Sequence, residues 1–233
     1  MSRALASVPQ GAPLLVIDAE SQDGTAALAR AHGARVIVRP WSGFVATRTF
    51  ALGCVGTPWT FMLDADESLE PELSQALTGV RAPISTDAYR VKRTTYFCKR
   101  PMRNGAWGRE APVRLFRTER ALLVAEPAAG GSAEIHERWV VPGEIGSLGG
   151  TLVHDSYPTV GAYRTKFARY TSLEARGVRP SPVALVCALA TAPLRAAWLI
   201  VGRGAWRDGW RGLYVALASA SYPVAVAFKA LVA

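Results

Sequence analysis

Apolar and polar residues alternate in blocks through the first part of the chain, and these blocks predict strands and helices in turn. Apolar runs at 14–17 and 36–38 predict two strands, and the residues between them predict a helix over 26–32. The pattern continues with a helix over 44–54 and a strand over 59–63. Strands that alternate with helices in this way are typical of an α/β fold with parallel strands.

The strand at 59–63 ends in three carboxylates, Asp64, Asp66 and Glu67. Ligands of α/β sheets bind outside the carboxyl ends of the strands. The Asp-x-Asp spacing allows two side chains to converge on one divalent cation, Mg²⁺ or Mn²⁺, which prefers oxygen ligands and usually keeps a phosphate in its shell. The alternative is a solvated acidic turn, because short motifs have a high false-positive rate. Asp18 lies at the end of the first strand, and its alternative is a turn or cap residue.

Longer strands follow in the middle of the chain. The segment 88–97 alternates Arg and Lys with apolar residues, and 113–117 and 150–155 predict further strands. Pro71 predicts the start of a helix before them.

The C-terminal segment is predicted to be helical and very apolar. Residues 182–201 form an apolar stretch that a proline and an arginine interrupt, and 211–233 form a second amphipathic or apolar stretch. A spanning helix with arginine near its centre would be costly, so we expect helices that lie in the membrane interface, flat or as a re-entrant hairpin. The alternative is a helical tail packed on the sheet. Four residues at helical spacing precede these stretches: Tyr163, Phe167, Tyr170 and Leu173.

Charge supports the membrane interpretation. The net charge is +9, and residues 160–233 contain ten Lys and Arg against two acids. An anionic membrane surface accounts for both the charge and the apolar runs, whereas nucleic-acid binding accounts for the charge alone. We therefore expect an anionic membrane partner and no nucleic acid, with a domain at 1–158 and a membrane-associating tail at 159–233.

Composition narrows the class of protein. With 233 residues of which 50% are hydrophobic, the chain is large and apolar enough for one domain with an appendage, and it is not disordered. Three scattered cysteines argue against a disulfide framework or a zinc site and fit a reducing compartment. No basic and apolar leader follows Met1, which argues against secretion.

Several segments, in this order, resemble motifs of glycosyltransferase family 2, in the branch that contains the lipopolysaccharide-core β-glycosyltransferases. One short motif would be weak, but motifs in the order of the family are specific. The segments are 16–25 (VIDAESQDGT), 41–44 (WSGF), 63–67 (LDADE), 107–116 (WGREAPVRLF), 135–137 (IHE), 154–157 (HDSY) and 166–170 (KFARY).

This resemblance implies a GT-A fold, which is a nucleotide-diphospho-sugar transferase fold with a mixed sheet and flanking helices. It also implies a nucleotide-sugar donor, inversion at the anomeric carbon, and a lipid-linked, lipopolysaccharide or other cell-envelope glycan as acceptor. The expected location is the cytoplasmic face of the inner membrane, as a peripheral or monotopic protein.

The resemblance further implies roles for individual residues. Asp64 and Asp66 would hold a divalent metal, with His154 completing its shell or binding diphosphate; a strand-end histidine that is only hydrogen-bonded is the alternative. Asp18 would accept a hydrogen bond from the nucleotide base, and His136 and Asp64 would contact the nucleotide-sugar.

An acceptor hydroxyl needs a carboxylate base. Glu137 is the first choice because it matches the Glu of the family's His-Glu motif, and Glu110 is the rival. Arg48, Arg114 and Arg117 are candidates for phosphate contacts, although an Arg that flanks a strand is more often a surface residue.

Three departures from the family pattern accompany the resemblance. The first strand of the family, with its nucleotide-contacting loop, has no counterpart before residue 14, and segments 19–21 and 106–110 differ from the family motifs. Two explanations stay open: a start codon assigned too far downstream, or a degenerate, non-catalytic binding or scaffolding protein on a glycosyltransferase fold.

Overall fold

The structure is a computed structural model that describes residues 1–80, 85–125 and 137–232. These residues form two compact units. The first unit contains described residues of 1–93, 111–124 and 137–154, and the second contains those of 94–110 and 155–232. The C-terminal helices thus share a unit with part of the central region, whereas the sequence predicts a division after residue 158.

Helices and strands alternate in the first part of the chain, and three helices end it. The helices are α1 (Ser2–Ser7), α2 (Thr25–Ala31), α3 (Phe44–Gly53), α4 (Pro71–Thr78), α5 (Val160–Ala175), α6 (Pro182–Ala197) and α7 (Gly209–Val232). The strands are β1 (Leu15–Asp18), β2 (Arg35–Val38), β3 (Trp59–Phe61), β4 (Glu67–Leu69), β5 (Thr86–Phe97), β6 (Arg100–Pro101), β7 (Val113–Arg117), β8 (Leu122–Ala125), β9 (Glu137–Val140) and β10 (Glu144–Tyr157).

The strands β1 and β2 form a parallel pair, as the sequence predicts. Val16 lies opposite Val36, and α2 connects the two strands. Their apolar side chains pack with Leu5 of α1 and Ala29 of α2 in a small core. This pair is a two-stranded sheet of its own, separate from the main sheet.

The main sheet has six strands in the order β3-β7-β5-β10-β4, with β6 paired to β5. Strand β7 is antiparallel to both β3 and β5, and β4 is antiparallel to β10. Residues 62–66 connect β3 to β4, which stand at opposite ends of this order. A connection of that length spans roughly 20 Å at most. The sheet is therefore curled, and its two ends come close together where the acidic motif lies.

A core cluster fixes the acidic end of this sheet. Leu69, Leu73, Val91 and Leu152 are buried together, and they hold α4 against strands β4, β5 and β10. Burial of each leucine contributes about 1.5–3 kcal/mol. Gly150 is required here, because it has a φ of +87° and a Cβ would lie 2.6 Å from the Cα of Leu73.

The second unit contains an aromatic core and the three C-terminal helices. Phe97 is fully buried and stacks on Tyr214 of α7, with ring centroids 5.6 Å apart, and it meets Tyr163 of α5 edge-on at the same distance. Tyr163 also packs edge-on against Tyr157, at 5.1 Å. The aromatic stripe predicted in this region thus joins α5 to its neighbours.

Two segments are long and apolar enough to cross a membrane, Pro182–Gly202 and Ala205–Val232. In the first, with a mean hydropathy of 1.9, only 6% of the most apolar window is buried. Helix α6 continues through Pro193 and exposes Val183 and Leu194. Exposed apolar surface of this extent is compatible with membrane association.

Candidate active site

Asp64 lies between two arginines of the first unit. The Nη2 atom of Arg48, from α3, is 2.5 Å from Oδ1 of Asp64, and the Nη2 atom of Arg114, from β7, is 3.0 Å from Oδ2. The backbone N–H of Met62 donates to the carbonyl of Arg114 at 2.8 Å, which continues the pairing of β3 with β7. This register places the Arg114 side chain beside the carboxylate that follows β3.

Glu67 is the buried anchor of this arrangement. Its Oε1 accepts from Arg114 Nη2 at 2.5 Å and from Arg93 Nη1 at 3.3 Å, and its Oε2 accepts from the backbone N–H of Asp64 at 3.1 Å. Its side chain has no exposed surface. A buried charge is tolerated only when it is paired and hydrogen-bonded, and Glu67 meets both conditions.

Glu137 extends the network on the other side. It forms a salt bridge with Nη1 of Arg48, so three acids and three arginines alternate from Glu137 to Arg93. The Glu137 side chain is 9% exposed, and its Oε2 has no hydrogen-bond partner among the described residues. A carboxylate with an oxygen that no other group occupies can accept a proton, as a general base does.

The electrostatics of Asp64 favour its ionised form. Burial alone raises the pKa of this carboxyl group, but the charges of Arg114 and Arg48 and the hydrogen bond from Arg114 outweigh it. The resulting pKa is below the ordinary value of 3.8. Asp64 is therefore a fixed negative charge between two positive ones.

The loop before α3 fixes the position of Arg48. Gly43 precedes the first turn of the helix with a φ of +95°, a conformation that favours glycine. The ring of Phe44 meets Trp41 edge-on at 4.8 Å and lies 5.8 Å from the guanidinium of Arg48. The predicted Trp-x-Gly-Phe motif thus has a physical role, which is to start the helix that carries Arg48.

Asp66 and His154 form a second pair at the same end of the sheet. His154 lies opposite Glu67 in the pairing of β10 with β4, and its Nε2 is 3.5 Å from Oδ2 of Asp66. The side chain of Asp66 is 39% exposed, whereas both oxygens of Asp64 contact arginines. Within the described ranges, no group of three His, Cys, Asp or Glu side chains is close enough to hold a metal ion.

Asp66 and His154 together offer two ligands, so a metal ion held there would need its other ligands from water or a bound molecule. One carboxylate and one imidazole suit an ion that takes its other ligands from water and phosphate, as Mg²⁺ commonly does. The predicted set of Asp64, Asp66 and His154 is thus brought to one region, with Asp66 and His154 paired and Asp64 committed to Arg48 and Arg114.

Asp18 lies at the end of β1, as the sequence predicts, and the structure shows it to be buried, with 4% exposed. One of its carboxylate oxygens accepts from the backbone N–H of Ser21 at 3.2 Å, so the carboxylate also orders the loop after the strand. This contact corresponds to the turn role that is the alternative for Asp18.

Three further residues belong to the predicted set: Glu110, His136 and Arg117. Glu110 belongs to the second unit, where its Oε2 accepts from the Thr95 hydroxyl at 3.1 Å. His136 lies outside the described residues. Arg117 is held by the other side of its strand, where Nε donates to the carbonyl of Thr86 at 3.1 Å and lies 3.4 Å from Asp87.

The sequence interpretation did not assign roles to Glu67 and Arg93. Their contact joins residues 26 positions apart, on β5 and β4, which both pair with β10. The available signal was charge within or next to predicted strands: Glu67 follows the apolar run 59–63, and Arg93 and Arg114 lie within predicted strands. Such charges are seldom buried without a partner.

The chain is similar to a known protein family and to several known proteins. Residues 9–123 match the family described as Glycosyl transferase family 2. A lipopolysaccharide core biosynthesis glycosyltransferase, LpsC, of Rhizobium meliloti (strain 1021) is 28% identical over 241 residues, which cover 98% of this chain and 86% of the relative.

Other relatives match over a shorter segment. An uncharacterized glycosyltransferase of Rickettsia felis (strain ATCC VR-1525 / URRWXCal2) is 40% identical over 76 residues, which are 33% of this chain and 27% of the relative. An uncharacterized glycosyltransferase of Rickettsia conorii (strain ATCC VR-613 / Malish 7) is 37% identical over 76 residues, which are again 33% of this chain and 27% of the relative. This chain thus matches about a quarter of the length of these two relatives.

Proposed function

Because residues 9–123 carry a glycosyl transferase family 2 domain, the chain belongs to this family as a glycosyltransferase, and we propose that it is an inverting enzyme that uses a nucleotide-sugar. The acceptor in this proposal is a lipid-linked, lipopolysaccharide or other cell-envelope glycan. The similarity to a relative named for lipopolysaccharide core biosynthesis supports this class of acceptor.

The observation that carries the proposal is the position of Asp64 between Arg48 and Arg114. A nucleotide-sugar presents hydroxyl groups, which a carboxylate binds as an acceptor, and a diphosphate, which guanidinium groups bind. Fixed donors aimed at the phosphates also stabilise the charge that develops there as the bond to the sugar breaks. Asp18, at the end of β1, is proposed to accept a hydrogen bond from the nucleotide base.

The proposed base is Glu137. The acceptor oxygen attacks the anomeric carbon while its proton passes to the Glu137 carboxylate, and the nucleoside diphosphate leaves with the electrons of the broken C–O bond. The buried Oε2 atom, which has no hydrogen-bond partner among the described residues, is the candidate proton acceptor. Glu110 in the second unit remains the rival.

A divalent metal, Mg²⁺ or Mn²⁺, is proposed to be held by Asp66 and His154, together with oxygens of the donor diphosphate. Such an ion supplies Lewis-acid neutralisation of charge on the departing diphosphate. Arg48 and Arg114 are proposed to orient the same phosphates.

The exposed apolar helices and the basic charge of the C-terminal segment support a place at an anionic membrane surface. We propose the cytoplasmic face of the inner membrane, where nucleotide-sugars are available. The C-terminal helices would hold the catalytic domain near a lipid-linked acceptor.

The test is an assay of purified full-length protein with a panel of nucleotide-sugars, Mg²⁺ or Mn²⁺, and a lipid extract that contains glycolipid acceptors. The expected result is release of nucleoside diphosphate from one donor, with a product of inverted anomeric configuration by NMR. Calorimetric binding of a nucleoside diphosphate without turnover of any donor would instead support the non-catalytic alternative.

A further inference from the structure

A cavity of about 120 Å³ lies within the second unit, lined by residues of the loop 103–109 and of the turn between α6 and α7. A cavity needs only about 10–15 Å³ to hold one water molecule, so this cavity has room for a tetrahedral phosphate group. None of its residues is assigned to sugar transfer. Its four cationic side chains are Arg103, Arg109, Arg203 and Arg207.

The walls of the cavity are tied together by hydrogen bonds. Asp208 accepts from the backbone N–H of Arg103 at 3.0 Å and from that of Asn104 at 2.8 Å, and its other oxygen accepts from the Asn104 side chain at 2.9 Å. The N–H of Gly105 donates to the carbonyl of Arg203 at 2.9 Å. The loop is thus fixed against the turn, which lowers the entropy cost of binding a ligand there.

The charge in the cavity is not neutralised internally. Among the described residues, none of the four guanidinium groups forms a salt bridge with a carboxylate. Asp208 is the carboxylate that holds the walls, and its oxygens already accept three N–H groups. Four arginines line this one cavity, with glycine backbone between them, and guanidinium groups are suited to the oxygens of a phosphate.

The same turn carries features of a membrane interface. Three tryptophans are more than half exposed, and each has an arginine guanidinium 4.6–5.4 Å from its ring centroid. Exposed tryptophan and arginine are enriched where protein meets lipid headgroups. The pairs are Trp198 with Arg203, Trp206 with Arg207, and Trp210 with Arg211.

We propose that this cavity binds the phosphate group of an anionic membrane lipid and so fixes the C-terminal helices at a defined depth and orientation. The arginines bind the phosphate, the tryptophans lie at the headgroup level, and the apolar face of α6 contacts the acyl chains. The inference rests on the second unit alone, so it stands or fails independently of the sugar-transfer proposal.

The test is native mass spectrometry of the full-length protein in an uncharged detergent, titrated with phosphatidic acid or with a diacylglycerol of the same acyl chains. These two lipids differ only by the phosphate group. Inorganic phosphate is added in a third arm, in which displacement of the bound lipid is followed. The variant is Arg203→Gln/Arg207→Gln, and the control is Arg176→Gln/Arg179→Gln, which removes the same charge from exposed positions of the same unit.

We expect one phosphatidic acid bound per chain, little retained diacylglycerol, and weak competition by inorganic phosphate. The cavity variant is expected to bind phosphatidic acid about tenfold more weakly or worse, and the control within about twofold of the wild type. The variant Arg203→Lys/Arg207→Lys, which keeps the charge, is expected to retain part of the affinity; it keeps the test valid if the glutamine variant is poorly folded by circular dichroism.

Three results would overturn the proposal. Equal weakening in the cavity and control variants would show diffuse attraction to charge. Equal retention of diacylglycerol would show that the phosphate is not recognised. Binding of inorganic phosphate as tight as that of phosphatidic acid would assign the cavity to a soluble anion.

Discussion

The guanidinium of Arg114 bridges two carboxylates of the acidic motif, because its Nη2 lies 3.0 Å from Oδ2 of Asp64 and 2.5 Å from Oε1 of Glu67. One of these carboxylates is partly exposed and the other is fully buried. Glu67 thereby fixes the arginine, and the arginine fixes Asp64. In the acidic motif that follows β3, Glu67 is the buried structural residue and Asp64 is the residue that is accessible to a ligand.

Substitution of Glu67 tests whether its buried carboxylate anchors the two arginines. Glu67→Gln removes the charge that pairs with Arg114 and Arg93, so we expect the free energy of unfolding to fall by about 3–5 kcal/mol, the cost of breaking a buried ion pair. Urea denaturation followed by circular dichroism measures it. Glu72→Gln, at an exposed position of α4, is the matched control and should change stability by no more than about 0.5 kcal/mol. Equal, small effects of both would contradict the anchoring role.

The pKa of Asp64 predicts how its contribution depends on pH. Since the pKa is below the ordinary value of 3.8 in the folded chain, ionised Asp64 stabilises the fold above that value, and the stabilisation is lost as the pH falls through the folded pKa. The gap in the free energy of unfolding between wild type and Asp64→Asn should therefore be constant near neutral pH and narrow below about pH 4. A gap that stays constant down to about pH 2 would show that the pairing with arginine is not made.

Removal of metal tests the pair of Asp66 and His154. A chelator is expected to abolish sugar transfer, and Mg²⁺ or Mn²⁺ to restore it. In Asp66→Asn and in His154→Gln, the metal concentration for half-maximal activity should rise by at least about tenfold, the lower end of what loss of even an outer-shell partner costs. His32→Gln, at the exposed end of α2, is the control. Full activity in excess chelator would exclude this assignment.

Substitution of the two candidate bases, Glu137 and Glu110, is expected to lower kcat to different extents. Glu137→Gln removes the proton acceptor, so we expect kcat to fall by about 10²–10⁴-fold with little change in donor KM. Glu110→Gln is expected to lower kcat by less than about tenfold. The reverse pattern would transfer the role of base to Glu110.

The pattern of apolar and polar residues predicts most of the helices and strands, but it does not predict which strands pair with each other. The predicted strand at 113–117 agrees with β7, and the predicted helix at 44–54 agrees with α3 to within a residue. Neither periodicity nor motif spacing indicates that β7 lies between β3 and β5, because strand order depends on contacts between distant segments. The salt bridges of Glu67 depend on that order, so they could not be derived from the acidic motif alone.

Arg48 illustrates the same limit at the site. The sequence correctly places it on a helix after the Trp-x-Gly-Phe motif, and it predicts phosphate contact. The structure adds that Arg48 joins Asp64 to Glu137. A donor phosphate bound as proposed would compete with two carboxylates for this side chain, which a pattern of residues does not reveal.

The most direct test of the central claim is the rate of sugar transfer by Asp64→Asn compared with the wild type, with Glu72→Gln as an exposed control. The three proteins are assayed with the same nucleotide-sugar, saturating Mg²⁺ and lipid acceptor, after circular dichroism has confirmed that each is folded. If the charge of Asp64 between Arg48 and Arg114 binds the donor, transfer by Asp64→Asn falls by at least about 10²-fold and the control stays within about twofold of the wild type. A folded Asp64→Asn that transfers sugar at the wild-type rate would contradict the account.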